Sequence, residues 1–148
     1  MSRLFELKNI IGVKDATADL DRVKKQKEKM GPDFIQLSGE DGTALEFNIN
    51  GGVGCISVSA NVAPKLCSEF QEASLSKNNS NLLAKAKEIN DKLMPLHKSL
   101  FIESSPSPVK YAASLLKLCS DEVRLPLVKI TEETKNSVKS AMRHANLI

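Results

Sequence analysis

Lys14 closes an apolar run, Ile10-Ile11-Gly12-Val13. A lysine held in an apolar site loses the solvation that favours its ammonium form. Its pKa falls, and a free amine becomes available at neutral pH. That amine attacks a ketone or aldehyde carbonyl to give a Schiff base, which acts as an electron sink. Two further stretches are rich in small and polar residues, Ser38-Gly39-Glu40-Asp41 and Ser57-Val58-Ser59-Ala60-Asn61. Gly39 would let backbone approach a small substrate closely. Each residue also has a plainer reading. Lys14 can snorkel from a strand end or pair with Asp15 or Asp41. Asp41, before Gly42-Thr43, fits a cap for a following helix, and Ser57 and Ser59 fit local bonds to backbone. His97 and His144 fall on helices remote in sequence from these loops, so no Ser/His/Asp nucleophile set is expected. Gly51-Gly52-Val53-Gly54 precedes a strand and not a helix, which argues against a phosphate-binding fingerprint.

Positioning these residues requires a regular alternation of elements. Ile10 to Val13 is a short β-rich run. Asp19 can cap a helix with apolar positions Leu20, Val23 and Met30, and Gly31-Pro32 stops it. Phe34 to Leu37 reads as a second strand. Residues 43–50 are helix-like, with Leu45 and Ile49 four apart, and a third strand is expected over residues 55–59. Strand, helix, strand, helix, strand with short links predicts right-handed βαβ units and a parallel sheet, whose function collects at the carboxyl ends of the strands. From Pro64 onward only helices are expected. Pro64 suits a first helical turn. Leu82, Ala86, Ile89, Leu93, Leu96 and Leu100 mark an amphipathic helix bent near Pro95. Residues 104–108 read as a loop, Val109 to Leu116 as a helix, and Thr131 as the cap of a last one. Three parallel strands covered on one side leave a face and two edges bare, so the chain reads as part of something larger.

The 148 residues suffice for one ordinary domain. A net charge of +3, without one basic block, gives no reason to expect nucleic-acid binding. The densest basic stretch, Arg22 to Lys29, reads as the solvated face of a helix whose Val23 and Met30 point inward. Three widely spaced cysteines, without a CxxC or Cys/His pattern, make zinc unexpected and reduced, buried thiols the default. This suits a reducing, cytoplasmic setting. No signal peptide or bilayer-length apolar run is present in the sequence, so no membrane partner is expected.

NIIGVKDATADL (9–20), LSGEDGTALEF (37–47), NGGVGCISVSANVAPKLC (50–67), LMPLHKSLFIESSPSPVKYA (93–112) and RLPLVKIT (124–131), in this order and spacing, closely resemble the carboxyl-terminal half of the 4-hydroxy-tetrahydrodipicolinate (dihydrodipicolinate) synthase family. The Gly12-Val13-Lys14 strand is shared with the wider group of pyruvate-dependent Schiff-base lyases and aldolases. The SGED, ISVSANV and LMPLHKSLF segments point to the synthase branch more than to the sialic-acid lyase branch.

The resemblance implies an α/β fold: the last three strands of a (β/α)8 barrel, with their helices, over residues 1–77, then a carboxyl-terminal helical domain over 78–148. It implies Lys14 as the Schiff-base lysine. Ile56 and Gly39 are implied as residues around the pyruvate site, with no metal and no cofactor. The implied substrates are pyruvate and L-aspartate 4-semialdehyde, the implied reaction a lyase step of lysine and diaminopimelate synthesis, and the usual assembly a homotetramer. A whole barrel of this kind takes ~250 residues, so about half is expected to be missing. The family's threonine pair, relay tyrosine and carboxylate-binding arginine match nothing here, and Tyr111 carries no relay motif. The chain alone is therefore expected to be inactive. The alternatives are a non-catalytic half-barrel remnant that needs a complementary half or an intact subunit, and another Schiff-base aldolase of the same superfamily.

Overall fold

The computed structural model describes residues 1–76 and 78–148. The described residues form two compact units, one of residues 1–57 and 71–86, the other of residues 58–70 and 87–148. The expected domain boundary falls at Lys77, which lies outside the described residues.

The first unit is α/β. Helix α1 (Ser2–Phe5) leads into strand β1 (Gly12–Asp15), helix α2 (Asp21–Met30) and strand β2 (Ile35–Ser38). The strands are parallel, with Gly12 opposite Ile35 and Lys14 opposite Leu37. Side chains alternate across a strand. Asp15, Gln36 and Ser38 are buried on the face that carries α2, where the Gln36 amide donates to the Val23 carbonyl at 3.1 Å. Gly12, Lys14, Ile35 and Leu37 share the other face.

The basic helix behaves as its pattern predicts. Val23, Gln26 and Met30 are buried while the lysines of α2 are exposed. Gly31 stops it at φ +86, a backbone region that suits glycine, with its N–H on the Lys27 carbonyl. The cap differs by a residue. Leu20 is already helical, and the Asp19 carboxylate accepts from the Asp21 N–H at 3.1 Å.

The predicted third strand is reduced to one parallel bridge, Ser38 to Cys55. Three bonds hold it beside β2: Val53 N–H to the Gln36 carbonyl, Ser38 N–H to Gly54 and Ile56 N–H to Ser38. Val58 is already helical in backbone (φ −78, ψ −41), so the extended stretch ends before it, and residues Ser59–Asn61 form a 3₁₀ turn. The predicted helix over 43–50 divides into a 3₁₀ turn (Asp41–Thr43) and helix α3 (Ala44–Ile49). Glu40, not Asp41, caps that turn by accepting from the Gly42 N–H at 3.1 Å, and Asp41 is buried.

Helices α4 (Pro64–Leu75) and α5 (Ser80–Ser99) follow, and α5 continues through Pro95. In the second unit Leu93, Leu96 and Leu100 are fully buried, along with Val138 and Met142 of helix α7 (Glu132–His144). Helix α6 (Ser107–Leu115) starts inside the stretch expected to be a loop. Pro108 sits in its first turn, where a missing N–H costs nothing. Thr131 caps α7 as expected, its hydroxyl accepting from the Thr134 N–H at 3.3 Å. The Glu103 carboxylate in turn takes the Thr131 N–H and hydroxyl, each at 2.9 Å. Of the thiols, only Cys67 is buried; Cys55 is half-buried and Cys119 exposed, against the expectation of buried thiols throughout. Among the described residues no helix is long and apolar enough to cross a membrane.

Candidate functional site

Lys14 and Gly39 meet at the carboxyl ends of β1 and β2. A Cβ built on Gly39 would lie 2.3 Å from the Lys14 Cε and 2.8 Å from the Ala16 Cβ, so only a glycine lets the lysine stem pass over this turn. The Gly39 N–H donates to the Asp15 carbonyl at 2.8 Å, which extends the pairing of the two strands by one link. Ile56 belongs to the neighbouring stretch, and its N–H donates to the Ser38 carbonyl at 2.8 Å. Cys55 is the bridge partner of the inward-facing Ser38, so alternation puts Ile56 on the open face with Lys14. The topology thus gathers Lys14, Gly39 and Ile56 at one rim of the sheet.

Of the two sequence readings of Lys14, its environment fits the side chain that snorkels from a strand end and not the amine enclosed in an apolar site. The run before it is not a buried strand: Ile11 is 65% exposed, and Lys14 itself is exposed. Ile35 and Ile56, on the same face as Lys14, are also exposed, at 41% and 53%. The described residues leave one face of the parallel sheet to solvent, and that is the face carrying Lys14.

Asp15 does not serve as the partner once open to Lys14. Its carboxylate is buried on the opposite face. One oxygen accepts from the Thr17 N–H at 3.0 Å and the Thr17 hydroxyl at 2.6 Å. The other accepts from Arg22 Nε at 2.6 Å and Gln26 Nε2 at 3.3 Å. Burial, the largest single influence, pushes its pKa up. The bonds from Thr17 and Arg22 together with the guanidinium charge outweigh it, and the pKa is lowered to about 2. Ala18 turns the chain between β1 and α2 with φ +60, a conformation that costs a non-glycine residue roughly 1 kcal/mol.

The second unit holds a pairing that sequence spacing did not disclose. The Ser59 hydroxyl and His97 Nδ1 share a buried hydrogen bond of 2.7 Å. Ser59 was expected to bond only locally, and His97 to be remote. Their separation of 38 residues is closed by tertiary packing, and no local motif signals it. Among the described residues no group of three or more His, Cys, Asp or Glu could hold a metal ion.

A parallel α/β unit with Lys14 at the carboxyl end of a strand, on an open sheet face, defines the class of the chain as α/β. The model of the dihydrodipicolinate synthetase family matches residues 1–145, and the chain belongs to that family. It is 66% identical over 148 residues to the 4-hydroxy-tetrahydrodipicolinate synthase of Pelagibacter ubique, covering 100% of this chain and 50% of that protein. It is 60% identical to that of Parvibaculum lavamentivorans over the same shares. Among solved structures, the chloride-inhibited dihydrodipicolinate synthase of Acinetobacter baumannii complexed with pyruvate superposes with a TM-score of 0.91 at 38% identity, over 99% of this chain and 49% of that one. The synthase from Thermotoga maritima gives 0.91 at 36%, over 99% and 50%. The chain spans about half the length of the curated relatives it matches.

Proposed function

We propose that the chain is the carboxyl-terminal half of a pyruvate-dependent Schiff-base synthase. Residues 1–77 would supply the last three strands of a (β/α)8 barrel and residues 78–148 its helical domain. The observation that carries the reading is the placement of Lys14 on the open sheet face, over Gly39, in a chain of this family. In this reading the Lys14 amine attacks the ketone carbon of pyruvate. Water leaves, and the imine loses a proton from the methyl carbon to become an enamine. The enamine carbon attacks the aldehyde of L-aspartate 4-semialdehyde. Cyclisation and release then return the free lysine and give 4-hydroxy-tetrahydrodipicolinate. Gly39 keeps the path of the lysine stem clear, and Ile56 offers an apolar wall to the pyruvate methyl. The chemistry needs no metal and no cofactor.

The exposure of Lys14 and, on the same face, of Ile35 and Ile56 supports a second part of the reading. The apolar enclosure that would desolvate the amine has to come from a complementary half, in a completed barrel that assembles as a homotetramer. Alone, the chain would be a non-catalytic half-site. Another Schiff-base aldolase of the same superfamily would share the lysine and differ in its aldehyde.

The test is trapping. The chain, alone and refolded with the complementary half of the Pelagibacter ubique relative, is incubated with pyruvate and reduced with borohydride. Peptide masses then locate the adduct. The expected result is a single adduct on Lys14 in the reconstituted form, none in Lys14→Ala, and turnover with aspartate semialdehyde in preference to sialic-acid-type aldehydes. Condensation that persists in Lys14→Ala would remove Lys14 from the mechanism.

A further inference from the structure

Asp15 follows the candidate lysine directly, yet its side chain lies on the other face of the sheet and takes no direct part in the chemistry proposed. It is buried and collects four hydrogen bonds from three side chains and one backbone N–H. Two of the donors, Arg22 and Gln26, stand one turn apart on α2. The third, Thr17, belongs to the turn between β1 and α2. The backbone carbonyl of the same residue accepts the Gly39 N–H at 2.8 Å, and Gly39 is the residue over which the Lys14 stem runs. One residue therefore ties the end of β1 to the helix behind it and to the glycine turn in front of it.

We propose that Asp15 is the positioning residue of Lys14. Its carboxylate clamps the end of β1 to α2, and its carbonyl holds the Gly39 turn, so that the lysine stem has one course across the open face. The inference rests on the reading of Lys14 as the reacting amine. Its geometric content, a strand end fixed by a carboxylate, stands apart from pyruvate chemistry. If the clamp were only a contribution to overall stability, removing it would loosen the whole unit evenly. If it positions the lysine, the loss is local to the strand end.

Amide hydrogen exchange separates these outcomes on the full chain without any substrate. The Gly39 amide reports the link to Asp15, while the Ser38 and Val53 amides report the pairing with the third stretch. Asp15→Ala is expected to speed exchange at Gly39 about tenfold relative to Ser38 and Val53. In the form that traps pyruvate, the share of reduced adduct found on Lys14, against all other lysines, should fall with it. Equal acceleration at all three amides, or none at Gly39, would overturn the positioning role. Local loss at Gly39, with no pyruvate adduct on wild-type Lys14 even in the reconstituted form, would uphold the clamp and refute the Schiff-base reading instead. Should Asp15→Ala fail to fold, Arg22→Ala takes its place, since it removes one donor from a partly exposed side chain. It is expected to speed Gly39 exchange about threefold relative to the same two amides, and an unchanged ratio would overturn the proposal.

Discussion

At Asp15, burial and hydrogen bonding pull in opposite directions, and the bonds win. The sign of the consequence follows from the depressed pKa. Folded, the carboxylate titrates at about 2 against an ordinary 3.8, so its contribution is complete above 3.8 and is lost as pH falls from there towards 2. The gap corresponds to about 2 kcal/mol. Asp15→Asn should therefore flatten the fall in stability over that window, as read by urea midpoints measured at pH 2 to 5. Gly39 makes the other prediction at this scale. Gly39→Ala puts a methyl where the Lys14 Cε now runs. The flexible lysine end can give way, but the Ala16 Cβ at 2.8 Å yields only if the turn itself shifts, so the amine is misplaced and the strand end is disturbed. Displacements of this size cost on the order of tenfold to a hundredfold in reactivity. The adduct yield at Lys14 should drop accordingly, with a lower thermal midpoint from the clash with Ala16.

The elements of the second unit depend on a few polar ties at their ends. Thr131 caps α7 and is itself held by Glu103, whose pKa is lowered by hydrogen bonds from the threonines at this cap, Thr134 first and then Thr131. Thr131→Ala removes the hydroxyl from both bonds and should cost about 1 kcal/mol, measurable as a lower urea midpoint. Ser59 and His97 tie the 3₁₀ turn at Ser59–Asn61 to α5 through a buried bond of 2.7 Å. Ser59→Ala deletes a buried hydroxyl and should destabilise by roughly 1–3 kcal/mol. Protease susceptibility should rise at residues 58–63, and it should not rise at α7.

At the scale of the whole molecule, the decisive feature is an uncovered sheet face. Parallel sheets are ordinarily buried on both sides, and a face that leaves Ile35 and Ile56 exposed is a surface that another chain or segment fills. The chain alone is expected to bind a hydrophobic dye such as ANS and to associate with rising concentration. Adding the complementary half of a relative should abolish dye binding at one-to-one stoichiometry. Dye binding that is absent in the isolated chain, or unchanged on mixing, would count against a completed barrel.

Most of the architecture was legible because its causes are local. The spacing of Val23 and Met30, the Gly31 stop, Pro64 in a first turn and the Thr131 cap each depend on residues within a turn or two, and the structure carries all four. That Lys14 ends an apolar run and Gly39 follows the next one was legible for the same reason, while their meeting depends on the pairing of β1 with β2. Three matters were not. The third strand shrank to a bridge because a ladder depends on neighbours, and a β-rich sequence cannot supply them. The Ser59–His97 bond joins residues that only packing brings together. Whether Lys14 is enclosed or snorkels, both open in the sequence, was decided by which faces of the sheet the rest of the chain covers. Local propensity selects elements, but burial is a property of what lies across from them, and that only the tertiary structure determines.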